Sequence, residues 1–339
     1  MLSYTLKVVA IIKETQDAST ICFKQPALKK ITYVPGQYIT LIVTINNRKY
    51  KRPYSLSSAP GIDNTLNITV KRVNHGIVSN HIIDTFKEGT MVEVIEPMGN
   101  FVAPKDHSRS DIYLWGAGSG ITPLMSILKY ALKNNIGTVT LSYCNPNKEQ
   151  TIFYDQLLAL NHDYPNSFFL NLFYTKEVNE NSWYGRLNAE QIIQIIKKSP
   201  DFLQTTHYVC GPKGLKETVS MTIKSHGLSS THIFTEDFEH IVSEDELKDI
   251  HTQVVKLVKN EKQFNVEVVK GKSILEAGLD LQLDLLYSCQ TGACTLCKAK
   301  LFSGKVKTIG DISRKGLNDD EYLLCCSYPY TEDVKFKID

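Results

Sequence analysis

The sequence of 339 residues has no apolar run near the roughly 18 residues that a membrane-spanning helix needs. It also lacks an excess of charge of one sign, because 38 Lys and Arg face 36 Asp and Glu, a formal net charge of +2. A near-neutral chain gives no reason to expect nucleic acid or a membrane surface as the main partner. The first seven residues show no charged segment followed by an apolar one, so we expect a cytoplasmic protein without a signal peptide.

Long repeats and low-complexity tracts are also lacking, and the 42% hydrophobic and 22% charged residues are typical of a folded protein. At roughly 100–200 residues per domain, the length predicts two or three domains. Cysteine is the residue type with an uneven distribution, because five of the eight cysteines lie between residues 289 and 326. In a cytoplasmic protein this clustering favours metal or redox chemistry over disulfides.

The first hundred residues have the pattern of short β-strands. Apolar side chains alternate with others at Ile39, Leu41 and Val43, and again at Leu66 and Ile68. Turn-forming residues separate such segments at 35–36, 46–47, 60–61 and 98–100. Short strands at this spacing predict an antiparallel β-barrel.

The pattern changes near residue 110. A short apolar run at 112–115 leads into a glycine-rich loop at 116–120, and a helix is predicted next, with Thr122 as N-cap and Pro123 at the first helical position. Further strands are predicted at 138–143, 168–174 and 206–209, with helical segments between them. This alternation predicts an α/β domain with a parallel sheet.

The cysteine cluster has a specific spacing. Cys289, Cys294 and Cys297 form a C-x4-C-x2-C pattern, and a fourth cysteine follows at Cys325 or Cys326. This is the spacing of plant-type [2Fe–2S] sites. A structural zinc site is the alternative, but it usually has paired C-x2-C elements or histidine ligands, and neither occurs here.

The segment 284–300, with Gly304 downstream, resembles the ferredoxin domain of plant-type [2Fe–2S] proteins over roughly residues 254–339. The resemblance implies a β-grasp fold, a one-electron centre and four cysteine ligands: Cys289, Cys294, Cys297 and Cys325. The distance to Pro329 favours Cys325 as the fourth ligand, whereas counting from Tyr322 could favour Cys326. We expect that only one of the two can bind, because neighbours on a strand point to opposite faces.

Two motifs in the first hundred residues have coherent chemistry. In Arg52-Pro53-Tyr54-Ser55, the Arg can hold a phosphate, the Tyr can stack on a flat ring and the Ser can hydrogen-bond a ring nitrogen. Gly76 precedes a predicted helix start, which is a backbone site for phosphate. Together the motifs resemble the flavin domain of the ferredoxin–NADP reductase superfamily. This implies flavin or phosphate contacts from Arg52, Tyr54, Ser55, Gly76, Val78 and Ser79, with Lys71 on the strand beneath the flavin.

The glycine-rich loop is not the Rossmann G-x-G-x-x-G, because Ile121 stands at the last position, and the acid expected after the next strand is replaced by Asn145. An ordinary NAD dehydrogenase is therefore a poor match. The loop and Cys210-Gly211-Pro212 instead resemble the two nucleotide motifs of the same reductase superfamily. The implied nucleotide-binding residues are Gly116, Gly118, Gly120, Thr122, Cys210, Gly211, Pro212 and Arg186.

The superfamily places a cysteine beside the reactive nicotinamide and a serine beside the flavin, so Cys210 and Ser55 are the implied catalytic residues. Glu236 and Phe238 occupy the place of an acid and an aromatic residue near the flavin. Relatives often carry an Arg directly after Asn145, where this chain has Pro146. Lys148 and Arg186 are substitute cations for a 2′-phosphate, so NADPH and NADH both stay open.

The order of the motifs predicts three domains: an FAD-binding β-barrel (1–104), an NAD(P)-binding α/β domain (105–235) and, after an acidic linker (236–253), the ferredoxin domain (254–339). This order resembles reductases that serve multicomponent oxygenases, such as those of the phenylacetyl-CoA oxygenase and phthalate dioxygenase type. It implies an NAD(P)H-dependent oxidoreductase that passes electrons through FAD, rather than FMN, and a [2Fe–2S] cluster to a protein acceptor. The alternatives are a reductase for a desaturase or a sugar-modifying enzyme, and a non-enzymatic electron-transfer subunit of a larger complex.

Overall fold

A computed structural model describes residues 2–26, 30–104, 110–199, 201–310, 312, 314 and 316–338. Two compact units make up the chain, Met1–Glu236 and Asp237–Asp339. No helix among the described residues has both the length and the apolar character that crossing a membrane requires. The predicted boundary at 104–105 adjoins residues 105–109, which lie outside the described part, so the domain limits stay a prediction.

The first unit begins with a six-stranded antiparallel sheet in the order β4-β3-β6-β1-β2-β5. Leu56, directly after β4, bridges to Ile68 in β5, which joins the two edges and closes the barrel. The predicted antiparallel barrel is therefore confirmed. Its elements are β1 (Ser3–Lys13), β2 (Ala18–Lys24), β3 (Tyr38–Ile45), β4 (Arg48–Ser55), β5 (Thr65–Lys71), α1 (Ile77–Thr85) and β6 (Met91–Met98).

The second part of this unit is a six-stranded, fully parallel sheet in the order β10-β9-β8-β7-β11-β12. The chain reverses its direction of progress between β7 and β11, where α/β sheets bind their ligands. The predicted parallel sheet is confirmed. Its elements are β7 (Ile112–Ala117), α2 (Ile121–Lys133), β8 (Val139–Asn145), α3 (Tyr154–Asp163), β9 (Phe168–Tyr174), β10 (Trp183–Tyr184), α4 (Ala189–Ile196), β11 (Thr206–Cys210), α5 (Lys213–Ser225) and β12 (Ile233–Glu236).

Helix α2 fixes the parallel sheet to the barrel. Its apolar stripe is buried, while Ser126 Oγ donates to the carbonyl of Ser58 at 2.6 Å. One turn later, Lys129 Nζ lies 3.2 Å from an Asp63 carboxylate oxygen in a largely buried ion pair. Both bonds connect the polar edge of the helix to the loop after β4, so the two parts of the first unit are held in one arrangement.

The second unit has a five-stranded mixed sheet in the order β14-β13-β19-β15-β17, in which the first and last strands of the domain, β13 and β19, are parallel. A single helix with a Ser273–Glu276 capping box packs on it, which confirms the predicted β-grasp fold. Its elements are β13 (Gln253–Lys259), β14 (Lys262–Val268), α6 (Ile274–Asp280), β15 (Lys298–Ser303), β16 (Val306–Thr308), β17 (Glu321–Leu323), β18 (Ser327–Pro329) and β19 (Lys335–Ile338).

The acidic segment before β13 is not solvated throughout. Ile250 is fully buried against Ile309 and Tyr328, and Val242 and Leu247 pack beside it. This part of the predicted linker thus contributes apolar side chains to the second unit.

Candidate functional site

The glycine-rich loop joins β7 to α2 at the switch point of the parallel sheet. A Cβ at Gly120 would lie 2.1 Å from the carbonyl oxygen of Cys210, so only glycine allows the two segments to approach this closely. Gly118 has a φ of +53°, and its carbonyl accepts a hydrogen bond from the Tyr143 hydroxyl at 2.9 Å. The loop is therefore held against Cys210 on one side and β8 on the other.

Helix α2 begins earlier than the sequence predicts. Gly120 is the N-cap and Ile121 the first helical residue, so the predictions of Thr122 as N-cap and Pro123 as first helical residue are both wrong. The physical reason is the short 3₁₀ turn at Gly118–Gly120, which leads directly into the helix. The Thr122 hydroxyl donates back to the carbonyl of Ser119 at 2.7 Å and closes this turn.

Three predicted residues from distant parts of the chain meet at one place in the first unit. Ser55, buried at the end of β4, donates its hydroxyl hydrogen bond to Glu236 Oε2 at 3.3 Å. Glu236 ends β12 and lies directly opposite Cys210 at the end of β11. Barrel and parallel sheet thus bring a hydroxyl, a carboxylate and a thiol together.

The Cys210 thiol is held in its neutral form. Its side chain is fully buried, and this burial raises the pKa of Cys210 well above its usual range, with the Glu236 carboxylate raising the pKa further. A neutral, buried thiol is a poor nucleophile. The arrangement therefore suits a surface that positions a flat reactant, rather than a covalent intermediate on sulfur.

The other barrel residues predicted to hold flavin lie on β4 and its neighbours. Burial raises the pKa of Tyr54 well above its usual range, and Arg52 on the same face donates to the carbonyl of Lys51 at 2.9 Å. Lys71, at the end of β5, pairs with Asp17 at 3.5 Å, and its Nζ lies 4.0 Å from the point where Gly118 would carry a Cβ. Lys71 therefore lies close to the glycine-rich loop as well as to the barrel.

The predicted phosphate site is the start of α1. Gly76 is the N-cap, and a Cβ there would lie 2.7 Å from Ser79 Oγ. Ser79 Oγ accepts the backbone N–H of Val73 at 3.1 Å, and Asn80 Nδ2 donates to the carbonyl of Gly76 at 2.7 Å. The first N–H groups of a helix have no partner within the helix, and the N-terminus favours anions. The turn therefore suits the predicted phosphate, and Val78 would contribute its backbone only, since its side chain is buried.

The two cations predicted as substitutes for a 2′-phosphate contact follow β8 and β10. Lys148 places its ammonium 4.7 Å from the centre of the Tyr154 ring, and its backbone N–H donates to Glu177 Oε2 at 2.8 Å. Arg186 follows β10 and is exposed. Cations and a carboxylate share this edge, and the choice between NADH and NADPH stays open.

The cysteine loop of the second unit curls around its own sulfur atoms. The backbone N–H groups of Thr291 and Cys294 donate to Cys289 Sγ at 3.4 and 3.3 Å. The loop can turn this tightly because Gln290 and Gly292 have φ values of +59° and +83°. A Cβ at Gly292 would lie only 3.1 Å from Cys326 Sγ, which explains the need for glycine there.

The four predicted ligands occur as two pairs. The pKa of Cys289 is set mainly by its interaction with Cys294, and the pKa of Cys297 by its interaction with Cys325. The Cys294 hydrogen bond lowers the pKa of Cys289 to about 5, which favours a thiolate. No group of three or more ligand-type side chains in the described ranges surrounds a single point, as one metal ion would need. Two pairs of thiols instead suit two irons, each bound by two cysteines.

The premise used to separate Cys325 from Cys326 is wrong. Residues Leu324–Cys326 form a 3₁₀ turn rather than a strand, so their side chains do not alternate, and the two sulfur atoms lie 3.5 Å apart. Cys325 interacts with both Cys297 and Cys326, while Cys326 Sγ lies against Gly292. Cys325 as fourth ligand stays a prediction, now supported by its interaction with Cys297.

Comparison with known proteins gives three family matches in the predicted order. The oxidoreductase FAD-binding domain matches residues 5–102, the oxidoreductase NAD-binding domain residues 114–221, and the 2Fe-2S iron-sulfur cluster binding domain residues 257–330. The predicted FAD, NAD(P)H and [2Fe–2S] cluster are thereby confirmed. Phe238 lies outside all three matches, and its predicted role beside the flavin stays a prediction.

Two relatives match over nearly the whole chain. The ferredoxin reductase component of 3-ketosteroid-9-alpha-monooxygenase from Rhodococcus rhodochrous is 32% identical over 99% of this chain and 97% of its own. One of the proteins that form the 1,2-phenylacetyl-CoA epoxidase of Escherichia coli K12 is 28% identical over 99% of this chain and 98% of its own. The solved structure of phthalate dioxygenase reductase has the same fold, with a TM-score of 0.71 and 22% identity over 99% of this chain and 98% of its own.

Proposed function

Because the chain belongs to the family of reductases that join an FAD-binding, an NAD-binding and a 2Fe-2S domain in this order, we propose that it is the reductase component of a multicomponent oxygenase. The activity itself is that of an NAD(P)H-dependent oxidoreductase. The proposed step is delivery of the electrons to an oxygenase protein. The substrate of that oxygenase is not assigned, because the two relatives serve enzymes with a steroid and with an acyl-CoA thioester as substrate.

The observation that carries the proposed site is the convergence of Ser55, Cys210 and Glu236 between barrel and parallel sheet. When bound, the flavin accepts a hydride from NAD(P)H and releases its two electrons singly to the cluster. The residues of the chain hold the flavin and the nucleotide in position and do not act as acid or base catalysts. The glycine-rich loop leaves space for the nucleotide backbone, and the Cys210 surface lies where the nicotinamide would meet the flavin.

Ser55 holds a proton at a defined atom. Its hydroxyl donates to Glu236, which leaves its lone pairs free to accept a hydrogen bond. We assign the flavin to Arg52, Tyr54 and Ser55, with Lys71 beneath it, and its phosphates to Gly76, Val78 and Ser79. The nucleotide contacts Gly116, Gly118, Gly120, Thr122, Arg186, Cys210, Gly211 and Pro212, and the cluster is bound by Cys289, Cys294, Cys297 and Cys325.

Five of the eight cysteines lie between residues 289 and 326, and such clustering at a metal site is typical of proteins in a reducing compartment. We therefore place the reductase in the cytoplasm. A reporter fused to the chain and tested for periplasmic against cytoplasmic activity would measure this directly.

The test of the relay is an anaerobic titration of the purified chain with NADH and, separately, NADPH. We expect loss of the flavin absorbance at the first additions and then the EPR signal of a reduced [2Fe–2S] cluster. The isolated chain should also reduce cytochrome c catalytically. A chain that binds both cofactors but reduces nothing without further proteins would contradict the proposal and favour the non-enzymatic role.

The test of the partner is reconstitution with purified terminal oxygenase components. NAD(P)H oxidation should become coupled to product formation with one of them. Coupling to a desaturase, and to no oxygenase, would overturn the oxygenase assignment while leaving the relay intact.

A further inference from the structure

A cavity of about 180 Å³ lies in the second unit, beside one of the two pairs of thiols. Its lining includes Cys325 and, from the loop that follows Cys289, Gln290. Glu276 and Ser273 line it from the start of α6. The cavity is larger than a water molecule needs and has several polar groups on its wall, so it can hold water. A polar cavity therefore lies on the Cys325 side of the proposed cluster site.

The remaining wall comes from a segment outside the 257–330 match to the 2Fe-2S domain. His240, Val242 and Leu247 line the cavity, and all three belong to residues 237–252, named the cap segment here. The cap segment is held in place by apolar contacts, because Val242 and Leu247 pack with Ile250 in the same cluster as Ile309 and Tyr328. Tyr328 itself lies three residues after Cys325 and also lines the cavity.

His240 is the polar residue that the cap segment contributes to the cavity wall. Its Nε2 atom is buried and has no hydrogen-bond partner among the described residues. The ring is fixed from behind, because its Cε1 lies 2.7 Å from the point where Gly310 would carry a Cβ. A buried polar atom without a partner is costly unless water or a ligand satisfies it. The position on the cavity wall makes water in the cavity the available partner.

We propose that His240 is a positioning residue for the [2Fe–2S] cluster: it closes the cavity beside Cys325 and orders water there, and so sets the reduction potential of the cluster. The inference depends on Cys325 as a ligand. Reduction adds one negative charge to the cluster, and polar surroundings stabilise that charge. Hydrogen bonding and solvent access around the sulfur atoms are established determinants of such potentials.

The proposal predicts opposite shifts for two substitutions. His240→Ala widens the cavity, admits more water toward Cys325 and raises the potential. His240→Phe keeps an aromatic ring packed on Gly310 but removes both nitrogen atoms. Water in the cavity then loses its hydrogen-bond partner, so the reduction potential of the cluster falls. His240→Gln retains a polar group of similar reach and stays near the wild-type value. A loss of packing alone would instead shift the Ala variant and leave the Phe variant, which keeps the packed ring, near the wild-type value.

The experiment is a redox titration of the full-length protein with bound FAD and cluster, followed by EPR. At the wild-type midpoint we expect about a tenfold change in the ratio of reduced to oxidised cluster, upward for Ala and downward for Phe, equal to about 59 mV for one electron. His251→Ala and His251→Phe are the matched controls, because His251 is exposed and not among the residues that line the cavity. The flavin potential is the internal control in each sample.

Three results would overturn the proposal: no shift in either His240 variant, shifts of the same sign, or equal shifts in the His251 controls. If His240→Ala failed to fold, the Phe and Gln variants would still have to differ from each other. These results leave the proposed function unaffected, because that function is tested on wild-type protein, by reduction of its cluster with NAD(P)H and by coupling to an oxygenase.

Discussion

The Ser55 site of residues 1–236 and the cysteine loop of residues 237–339 differ in how far apart along the chain their parts lie. Ser55 and Glu236 are 181 positions apart and meet through one hydrogen bond. Cys289 and Cys294 are five positions apart and are joined by the backbone of one turn. The first site therefore depends on the docking of barrel and sheet, whereas most of the second is formed by local backbone geometry. Substitutions at long-range contacts should affect the first site, and substitutions in the loop should affect only the second.

The largest expected effect is complete loss of the cluster. Cys294→Ser removes one thiolate from the loop, and a serine oxygen is a poor ligand for the iron pair. We expect no EPR signal of the reduced cluster, yet NAD(P)H-driven reduction of ferricyanide should persist because the flavin site lies in the other unit. A folded, flavin-bound variant without ferricyanide activity would show that the two sites are not separable.

Cys325 and Cys326 test the same comparison at the proposed cluster ligand that lies outside the cysteine loop. Cys325→Ser should abolish or strongly alter the EPR signal and lose iron on storage, since Cys325 contacts Cys297. Cys326→Ser is the matched control and should leave the signal nearly unchanged. The reverse result would exchange the two assignments.

At the long-range site we expect a smaller but still large effect on rate. Cys210→Ala removes the thiol opposite Glu236 and should lower the rate of flavin reduction by NAD(P)H about 10²-fold, because small errors in the position of reacting atoms are this costly. Stopped-flow absorbance measures the rate. Cys144→Ala at the end of β8 is the control thiol, and the cluster EPR signal obtained with dithionite should be unaffected in both variants.

The docking of barrel and sheet can be weakened without touching either site. Lys129→Met leaves Asp63 without its partner in a largely buried ion pair, which should lower the free energy of unfolding of the first unit by about 2 kcal/mol. Urea unfolding followed by flavin fluorescence measures this change. Lys133→Met, one turn further on α2 and exposed, should change it by less than about 0.5 kcal/mol. An equal effect of both would argue against the docking role.

The smallest effect, about 1.4 kcal/mol between pH 7.5 and 5.5, concerns the protonation of His207. Trp115 Nε1 donates to His207 Nδ1 at 3.1 Å, and burial, with the nearby His232, lowers the pKa of His207 to about 3. The unfolded chain takes up this proton first, near its usual pKa of 6.5. Neutral His207 therefore contributes its full stabilisation above about pH 6.5. Between about pH 6.5 and pH 3, the free energy of unfolding falls by at most about 1.4 kcal/mol per pH unit.

His207→Gln should remove this part of the pH dependence. The measurement is the difference in free energy of unfolding between wild type and variant at pH 7.5, 6.5 and 5.5, conditions chosen to bracket that pKa. A difference that does not change with pH would mean that His207 is charged in the folded protein.

The amino-acid sequence by itself determined the three domains and their order, because those features depend on local patterns. Strand alternation predicts the barrel, C-x4-C-x2-C predicts the cluster loop, and Gly118 is required by a backbone conformation that other residues rarely adopt. A pattern of neighbouring residues is sufficient for prediction wherever the structure depends only on local backbone geometry.

Only the tertiary structure decided the features that depend on distant segments. The hydrogen bond from Ser55 to Glu236, the contact of Lys129 with Asp63 and the place of His240 at the cavity beside Cys325 leave no local pattern in the sequence. The predictions of the start of α2 and of the conformation at Cys325 were wrong for the same reason. In both places a short 3₁₀ turn replaces the expected geometry, since close packing against neighbouring segments outweighs local preference.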